Sequence, residues 1–476
     1  MKILLTGATG YIAQRLLPIL VGNNHTIVCC VRDLKRFLIE EEWAGQVTKI
    51  EVDFLKPESL NHIPLDIDVA YYLIHSMATS SGDFSEMEQQ SAKNFVRRIE
   101  QTKAQQVIYL SGIVNDDYLS KHLQSRKNVE NILANSNVAL TTLRAGIIIG
   151  SGSASFEIMR DLVEKLPIMI APRWLNTKCQ PIAIRNVIQY LSAILLREET
   201  YNQSFDIGGP DVLTFKQMLL QFAEVRGLKR RIFVVPVMTP KLSSYWLYFV
   251  TSTNFSLAKN LVKSMHVEVV CKPNNLHQMF PEELIPYKEA IALAFDKIDQ
   301  NLVLSSWTDA LSSHILMKGI SAYISVPTKG CFRDVRIVKT DHPDATLKNI
   351  FAIGGKRGWY YANWLWNFRG FLDKMVGGIG IRRGRKNDTE LSAGEALDFW
   401  RVLVADEAKR RLLLYAEMKL PGEAWLEFKI NDRDELVQTA TFRPLGLWGR
   451  IYWYSVLPFH AFIFKGMAEN IASDRS

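Results

Sequence analysis

The sequence predicts an α/β protein: a doubly wound parallel sheet, followed by a separate α+β domain in which an antiparallel sheet holds a long terminal helix. Three observations lead there. Apolar strand runs and helical stretches alternate over residues 1–145, the pattern of a parallel sheet covered by helices on both faces. Beyond about residue 300 the pattern becomes successive strands joined by short turns, "DEAKR", "LPGE" and "NDRDE", which is an antiparallel meander. The chain, at 476 residues, is also longer than one ordinary core organises. Two domains follow, 1–300 and 301–476, with 145–300 forming the substrate side of the first.

In the first domain, strands are expected at Ile3–Leu5, Thr26–Val31, Val47–Val52, Val69–Ile74, Val107–Leu110 and Ala139–Leu143. Each is a short apolar run of the kind buried on both faces. Helices are expected between them at Ser85–Thr102 and Leu119–Ala134. Right-handed crossovers make such a sheet doubly wound and put the ligand at the carboxyl ends of its strands. Further on, helices are expected at Phe156–Leu166, Arg185–Leu196 and Phe215–Glu224, and strands at Ser204–Ile207 and Ile232–Val235. An aromatic-rich helix over 242–265 and the helix "YKEAIALAFDKI" complete the domain.

In the second domain the meander over 395–444 is closed by Pro444-Leu445-Gly446, and a helix follows from about Trp448 to Ala472. That helix should lie across one face of the sheet, and Pro458 should kink it. Before the meander, "GGKRGWYYANWLWNFRGFLDKMVGG" brackets an amphipathic, tryptophan-rich helix with glycine pairs. It reads as a lid, a membrane-resting element or a helix packed on the first domain.

Composition narrows the function classes. Apolar content of 48% and charged content of 22% are those of a folded globular chain. The net charge of +8 is spread along the chain, so no nucleic-acid partner is expected. The densest run, Arg382-Arg383-Gly384-Arg385-Lys386, is a solvated loop or a contact for phosphate or an anionic membrane. Five cysteines show neither metal-ligand spacing nor a paired framework, so no metal is expected. Cys29 and Cys30 belong to a core strand. A reducing cytoplasm fits, with a peripheral contact at the inner face of the membrane left open. The first strand starts at residue 2, so no signal peptide is expected. The most apolar segments, Tyr245–Val250 and Ile451–Phe464, fall short of the ~18–20 residues a spanning helix needs.

Chemistry concentrates at the N-terminus. Ile3–Leu5 runs into Thr6-Gly7-Ala8-Thr9-Gly10-Tyr11-Ile12-Ala13. Gly7 and Gly10 allow a tight turn and close approach of backbone to a pyrophosphate, at the amide-rich start of a helix. Ala13 stands where a third glycine is usual and serves close helix–strand packing. The second strand ends in Val31-Arg32-Asp33. An arginine there pairs with a 2′-phosphate and favours NADP over NAD. The alternative is a solvated arginine with Asp33 capping the next helix. Asp53 and Phe54 end the third strand, where a carboxylate can meet the adenine amino group.

Taken together, "TGATGYIA", "VRD", "EVDF", "YYLIHSM" and "VIYLSG" resemble the short-chain dehydrogenase/reductase superfamily. The resemblance is nearest to its extended and atypical branch, which includes NmrA-like redox sensors and an accessory subunit family of respiratory complex I. It covers roughly residues 1–300. It implies an NAD(P)-binding Rossmann domain with cofactor-binding residues Gly7, Thr9, Gly10, Tyr11, Ile12, Arg32, Asp53, Phe54, Leu73 and His75. In active members a serine follows the fifth strand and a Tyr-x-x-x-Lys pair opens the next helix. Here Ser111 fits the serine, while His122 takes the tyrosine's place and Arg126 the lysine's. An imidazole titrates near neutrality and can act as a general acid; a guanidinium holds a ribose but does not give up a proton. The opposite reading is a decayed dyad that leaves a binding site.

Residues 305–475 are similar to the START-like, or polyketide-cyclase-like, helix-grip fold. The resemblance implies an apolar cavity between sheet and helix, with Trp400, Tyr415, Met418 and Trp425 on strands able to line it. The expected function is an oxidoreductase acting on a hydrophobic carbonyl, enone or quinone. The alternatives are a non-catalytic NADP(H) sensor and a membrane-peripheral lipid or quinone carrier. Oligomeric state is not legible.

Overall fold

The computed structural model describes residues 1–476 except 35, 36, 38, 40, 75–83, 116–120, 236–265, 300–325, 328, 329, 356, 381–384, 386–389 and 474–476. The expected helix over 242–265 lies outside the described residues, as does His75. The chain divides into two compact units, Met1–His314 and Ile315–Ser476.

The first unit is built on a seven-stranded sheet: β1 (Lys2–Leu5), β2 (Thr26–Val31), β3 (Val47–Glu51), β4 (Val69–Tyr72), β5 (Gln106–Gly112), β6 (Ala139–Ala145) and β7 (Gln203–Ile207). The spatial order is β7-β6-β5-β4-β1-β2-β3, and every pairing is parallel. The order reverses between β1 and β4, which is where an open α/β sheet leaves its ligand crevice. Helices α1 (Ala13–Gly22), α2 (Phe84–Ile99), α3 (Lys121–Ala134), α4 (Ala154–Lys165), α5 (Ile184–Ala193), α6 (Phe215–Val225) and α7 (Tyr287–Asp299) supply the crossovers and the substrate side.

The strands read so clearly from sequence because both faces of the sheet are covered. Ile3, Leu5, Cys29 and Val31 pack on one face with Leu16, Leu20 and Leu191. Leu4, Val28, Cys30 and Tyr72 pack on the other with Phe95 and Val129. Cys29 and Cys30 are both buried, as expected, and burial pushes the Cys29 thiol up to about 12.

The second unit holds a six-stranded antiparallel sheet: β8 (Phe332–Lys339), β9 (Ala396–Leu397), β10 (Trp400–Asp406), β11 (Arg411–Ala416), β12 (Gly422–Ile430) and β13 (Glu435–Pro444). Its order is β8-β13-β12-β11-β10-β9, so the first strand lies beside the last. Helices α8 (Pro343–Phe351) and α9 (Asn363–Met375) connect β8 to the meander, and α10 (Gly446–Ser473) ends the unit with Pro458 inside it. Trp453 of α10 stacks on Phe332 at 5.3 Å and on Phe442 at 5.8 Å, which places the helix across the β8–β13 side of one face.

Alternation along the strands decides which expected cavity residues face that helix. Leu414, Leu426, Trp400 and Met418 join Phe464 and Met467 in one core. Tyr415 and Trp425 lie on the other face, where they meet edge to face at 5.4 Å. The expectation that all four aromatic and sulfur side chains line one space is therefore corrected for Tyr415 and Trp425. A buried ion pair, Arg401–Glu417 at 3.0 Å with both side chains fully buried, crosses β10 and β11.

Candidate dinucleotide site

The turn after β1 is fixed by its own backbone. Thr6 donates its amide and its hydroxyl to the Tyr71 carbonyl, and its Oγ1 accepts the Leu73 amide at 3.0 Å. These bonds bring the ends of β1 and β4 together at the switch point. Gly7 has a left-handed φ of +64°, and a Cβ there would stand 2.7 Å from the Leu73 carbonyl oxygen, so a side chain is excluded. Gly10 donates its amide to Gly7 O at 2.7 Å. Helix α1 then begins with Ile12 as its N-cap, with no side-chain cap and no acid in its first turn. The amides of Gln14, Arg15 and Leu16 donate back to Gly10 O and Ile12 O, and the helix dipole leaves a positive field at this end, which suits a pyrophosphate. Ala13 is 1% exposed and packs against the sheet, which explains why the third glycine can be an alanine.

Tyr11 and Arg15 form the back of the turn. The Arg15 guanidinium lies 3.8 Å above the Tyr11 ring and donates to Tyr11 O and Ser151 O. Gly150 makes room for the phenol, since a Cβ there would come within 2.5 Å of the Tyr11 hydroxyl. Burial pushes that phenol up to about 12, with the Arg15 charge opposing. Tyr11 therefore ties the turn to the segment after β6 by its side chain and offers a ligand its backbone. Arg15 and Thr6 were not singled out by sequence reasoning; the spacing of Tyr11 and Arg15, one helical turn, was the available signal.

Arg32 is exposed directly beyond β2, while its neighbour Asp33 is buried at 7% exposure. Asp53 follows β3; its carboxylate accepts the Leu55 amide at 3.1 Å and its own amide is held by Ser59 Oγ at 3.0 Å. Phe54 is buried against Phe95, with its carbonyl held by Asn94 Nδ2 at 2.7 Å. Thr9, Gly10, Ile12, Leu73, Arg32 and Asp53 thus sit on the carboxyl ends of β1, β4, β2 and β3, along one edge of the sheet.

Next to β4, Ser111 near the end of β5 is 2% exposed; its hydroxyl lies close to the Tyr109 phenol and has no partner in hydrogen-bond geometry among the described residues. The Arg126 side chain passes over the following residue, its Cδ 3.6 Å from where a Gly112 Cβ would be. Arg126 thus lies beside the end of β5, against Gly112 and near the Tyr109 phenol. His122 lies one turn earlier on α3; its side chain is outside the described residues. Tyr109, two residues before Ser111, donates to Arg126 O at 3.5 Å; burial pushes its phenol up to about 12, with the Arg126 charge opposing. Behind this layer, Glu88 of α2 accepts from the buried Ser125 hydroxyl, and Glu130 pairs with Arg144 at 2.6 Å. Among the described residues no cluster of acids, histidines or cysteines could hold a metal ion. A separate, mostly apolar groove of about 510 Å³ lies between α1, α5 and α7, lined by Pro18, Ile19, Ile184, Ile188, Ile285 and Leu293.

Residues 7–164 match a family model described as NAD(P)H-binding. The first domain has a Rossmann-like fold, and its residues 7–164 are similar to NAD(P)H-binding proteins. The turn around Gly7 and Gly10 fits such a cofactor, because both positions admit backbone but no side chain. Residues 329–467 match a second model, described as "Protein of unknown function (DUF2867)". The photosystem II assembly factor Ycf39 of Synechocystis is 26% identical over 152 residues, which is 32% of this chain and 46% of that protein; the match spans less than half of that relative's length. Among solved structures, a nucleoside-diphosphate-sugar epimerase from Staphylococcus aureus aligns with a TM-score of 0.50 at 15% identity, over 61% of this chain and 100% of its own. A UDP-glucuronic acid 4-epimerase from Bacillus cereus, solved with UDP-glucuronic acid and NAD, aligns at 0.47 and 16% identity over 63% and 99%. The first of these likenesses supports the fold. Among the described residues no helix is long and apolar enough to cross a membrane.

Proposed function

We propose that the chain is an NADP(H)-dependent reductase of a hydrophobic carbonyl, enone or quinone, with the second domain helping to hold the apolar substrate. One observation carries the reading: the dinucleotide turn is accompanied by a buried Ser111 hydroxyl that, among the described residues, has only the Tyr109 phenol nearby and no partner in hydrogen-bond geometry, beside the strand that borders the crevice. Buried hydroxyls are normally satisfied, and one that is not calls for a missing partner. A substrate oxygen supplies that partner. When bound, NADPH supplies the hydride. Gly7 and Gly10 admit the pyrophosphate, Arg32 takes the 2′-phosphate, and Arg126 holds the nicotinamide ribose while keeping its charge. Ser111 donates to the substrate oxygen, and His122 delivers the proton that this oxygen takes up as the carbon gains the hydride. The test mixes the full chain and NADPH with a panel of apolar carbonyls and quinones and follows nicotinamide absorbance. Oxidation by at least one class, slowed in Ser111→Ala, supports the reading. Stoichiometric NADPH binding with no oxidation across the panel overturns it in favour of a sensor.

A carrier role for the second domain has its own support. The strand order with β8 beside β13, and α10 across them, fits the START-like helix-grip reading. On the helix-facing side, between Leu436 and Ala440, both amide atoms of Gln438 are buried without partners among the described residues, as is Nδ1 of His460 on α10. Burial lowers the His460 imidazole to about 4, with Asp334 opposing, so it stays neutral. An apolar passenger with a hydrogen-bonding head group would satisfy both side chains. Native mass spectrometry of the chain purified without added ligand tests this: a copurified lipid or quinone that Gln438→Leu loses supports it, and a bare chain contradicts it.

A further inference from the structure

We propose that one face of the second unit, formed by α9 and the first half of α10, docks on the surface of an anionic lipid bilayer. The proposal is independent of the hydride-transfer reading. On α9, Trp364, Phe368 and Phe371 recur at spacings of four and three and are all more than half exposed, while Trp366 is buried. On α10, Trp448, Ile451 and Phe459 form a second exposed stripe, with Trp448 at 76%, while Trp453, Phe464 and Met467 are buried on the sheet. The first half of α10 is thus apolar on both sides, which an ordinary surface helix is not. The two stripes adjoin: the Arg369 guanidinium lies 5.1 Å over the Tyr452 ring, and Tyr361 meets Phe462 at 5.1 Å. Soluble monomers rarely expose an apolar patch larger than roughly 300–600 Å².

Charge identifies the occupant. From Gly446 to Ala468 the chain contains no acid, and Arg450 is exposed on α10. The acid of α9, Asp373, is buried and accepts the amides of Gly380 and Lys419. The Lys419 ammonium reaches the end of α9, 3.1 Å from where a Gly377 Cβ would be. A face of tryptophan, phenylalanine and leucine with Arg450 exposed on it, no acid from Gly446 to Ala468 and the acid of α9 buried matches an interfacial helix on anionic lipid. A protein-binding face would carry a mixed polar rim instead. Because no described helix is long and apolar enough to span, the pair lies on the surface.

The test is flotation of the full chain with vesicles of phosphatidylcholine, with and without phosphatidylglycerol, at low and high salt. Wild type is expected to float with the anionic vesicles and to release as salt rises. Trp448→Glu and Phe368→Glu should each lower partitioning at least about tenfold, with NADPH affinity unchanged as the control for folding. Wild type that stays with the buffer, or variants that float as well as wild type, would overturn the proposal. So would a concentration-dependent dimer that either variant abolishes without any vesicle binding, since the face would then belong to a second copy.

Discussion

Replacing Arg32 by alanine separates the two cofactors. Arg32 stands exposed beyond β2, one strand from the Gly7 turn, and Asp33 beside it is buried. The acid is thus withdrawn from the place where it would accept ribose hydroxyls, and the cation is left there. A hydrogen bond to a charged group contributes about 1.5–3 kcal/mol, which is roughly 10- to 150-fold in affinity. Because Arg32 is exposed, solvent and salt screen it and the lower end applies. Arg32→Ala should therefore weaken NADP by about tenfold and leave NAD within about twofold. The wild-type preference should shrink as salt is raised. Titration by nicotinamide fluorescence, run with both reduced cofactors, reads this directly. Equal losses for NADPH and NADH, or a wild type that prefers NADH, would refute the reasoning.

Further outcomes follow from other sites. Gly10→Val should abolish dinucleotide binding while the second unit stays folded, because even a Cβ at Gly10 would stand 2.9 Å from Gly7 O; fluorescence titration beside circular dichroism checks it. His122→Phe should slow hydride transfer by about two to four orders of magnitude with NADPH affinity retained, and a wild-type rate in stopped flow would remove the residue from the mechanism. Arg401→Met alone should destabilise the second unit by about 3–5 kcal/mol, since it leaves Glu417 charged and buried, and Glu417→Leu added to it should recover most of the loss in denaturant unfolding. Asp398 is buried and accepts Trp359 Nε1 at 2.7 Å; burial raises its carboxyl to about 6 against the Trp359 bond and the Arg385 charge. The folded state then holds a proton that the unfolded state releases from about pH 4 upward. Stability should fall by up to about 3 kcal/mol between about pH 4 and about pH 6, and Asp398→Asn should remove that dependence.

The sequence exposes what depends on local pattern. All the early strands are recoverable because a two-sided core demands continuous apolar runs, and the Gly7–Gly10 turn is legible because its backbone tolerates nothing larger. Ala13 is also readable, since packing needs a small residue there and not a glycine. What depends on side-chain direction is hidden. Tyr11 belongs by position to the cofactor motif, yet its ring goes to Arg15 and Gly150. Trp364 and Trp366 are two residues apart in one motif and face opposite ways. Tyr415 and Trp425 share strands with cavity candidates but lie on the other face, because register and not composition sets that choice. Gln438 gave no signal at all, since an amide between apolar neighbours reads as an ordinary strand residue until its burial is known.

The central claim is that the first domain passes a hydride from NADPH to an apolar oxygen-bearing substrate. NADPH deuterated at the transferable position, incubated with the full chain and the responsive member of the carbonyl and quinone panel, tests it most directly by mass spectrometry of both products. The account predicts oxidised cofactor in equal amount to reduced substrate, with the label carried into carbonyl or enone products and the yield lost in Gly10→Val. Tight NADPH binding with no oxidised cofactor and no reduced product from any member of the panel would contradict it.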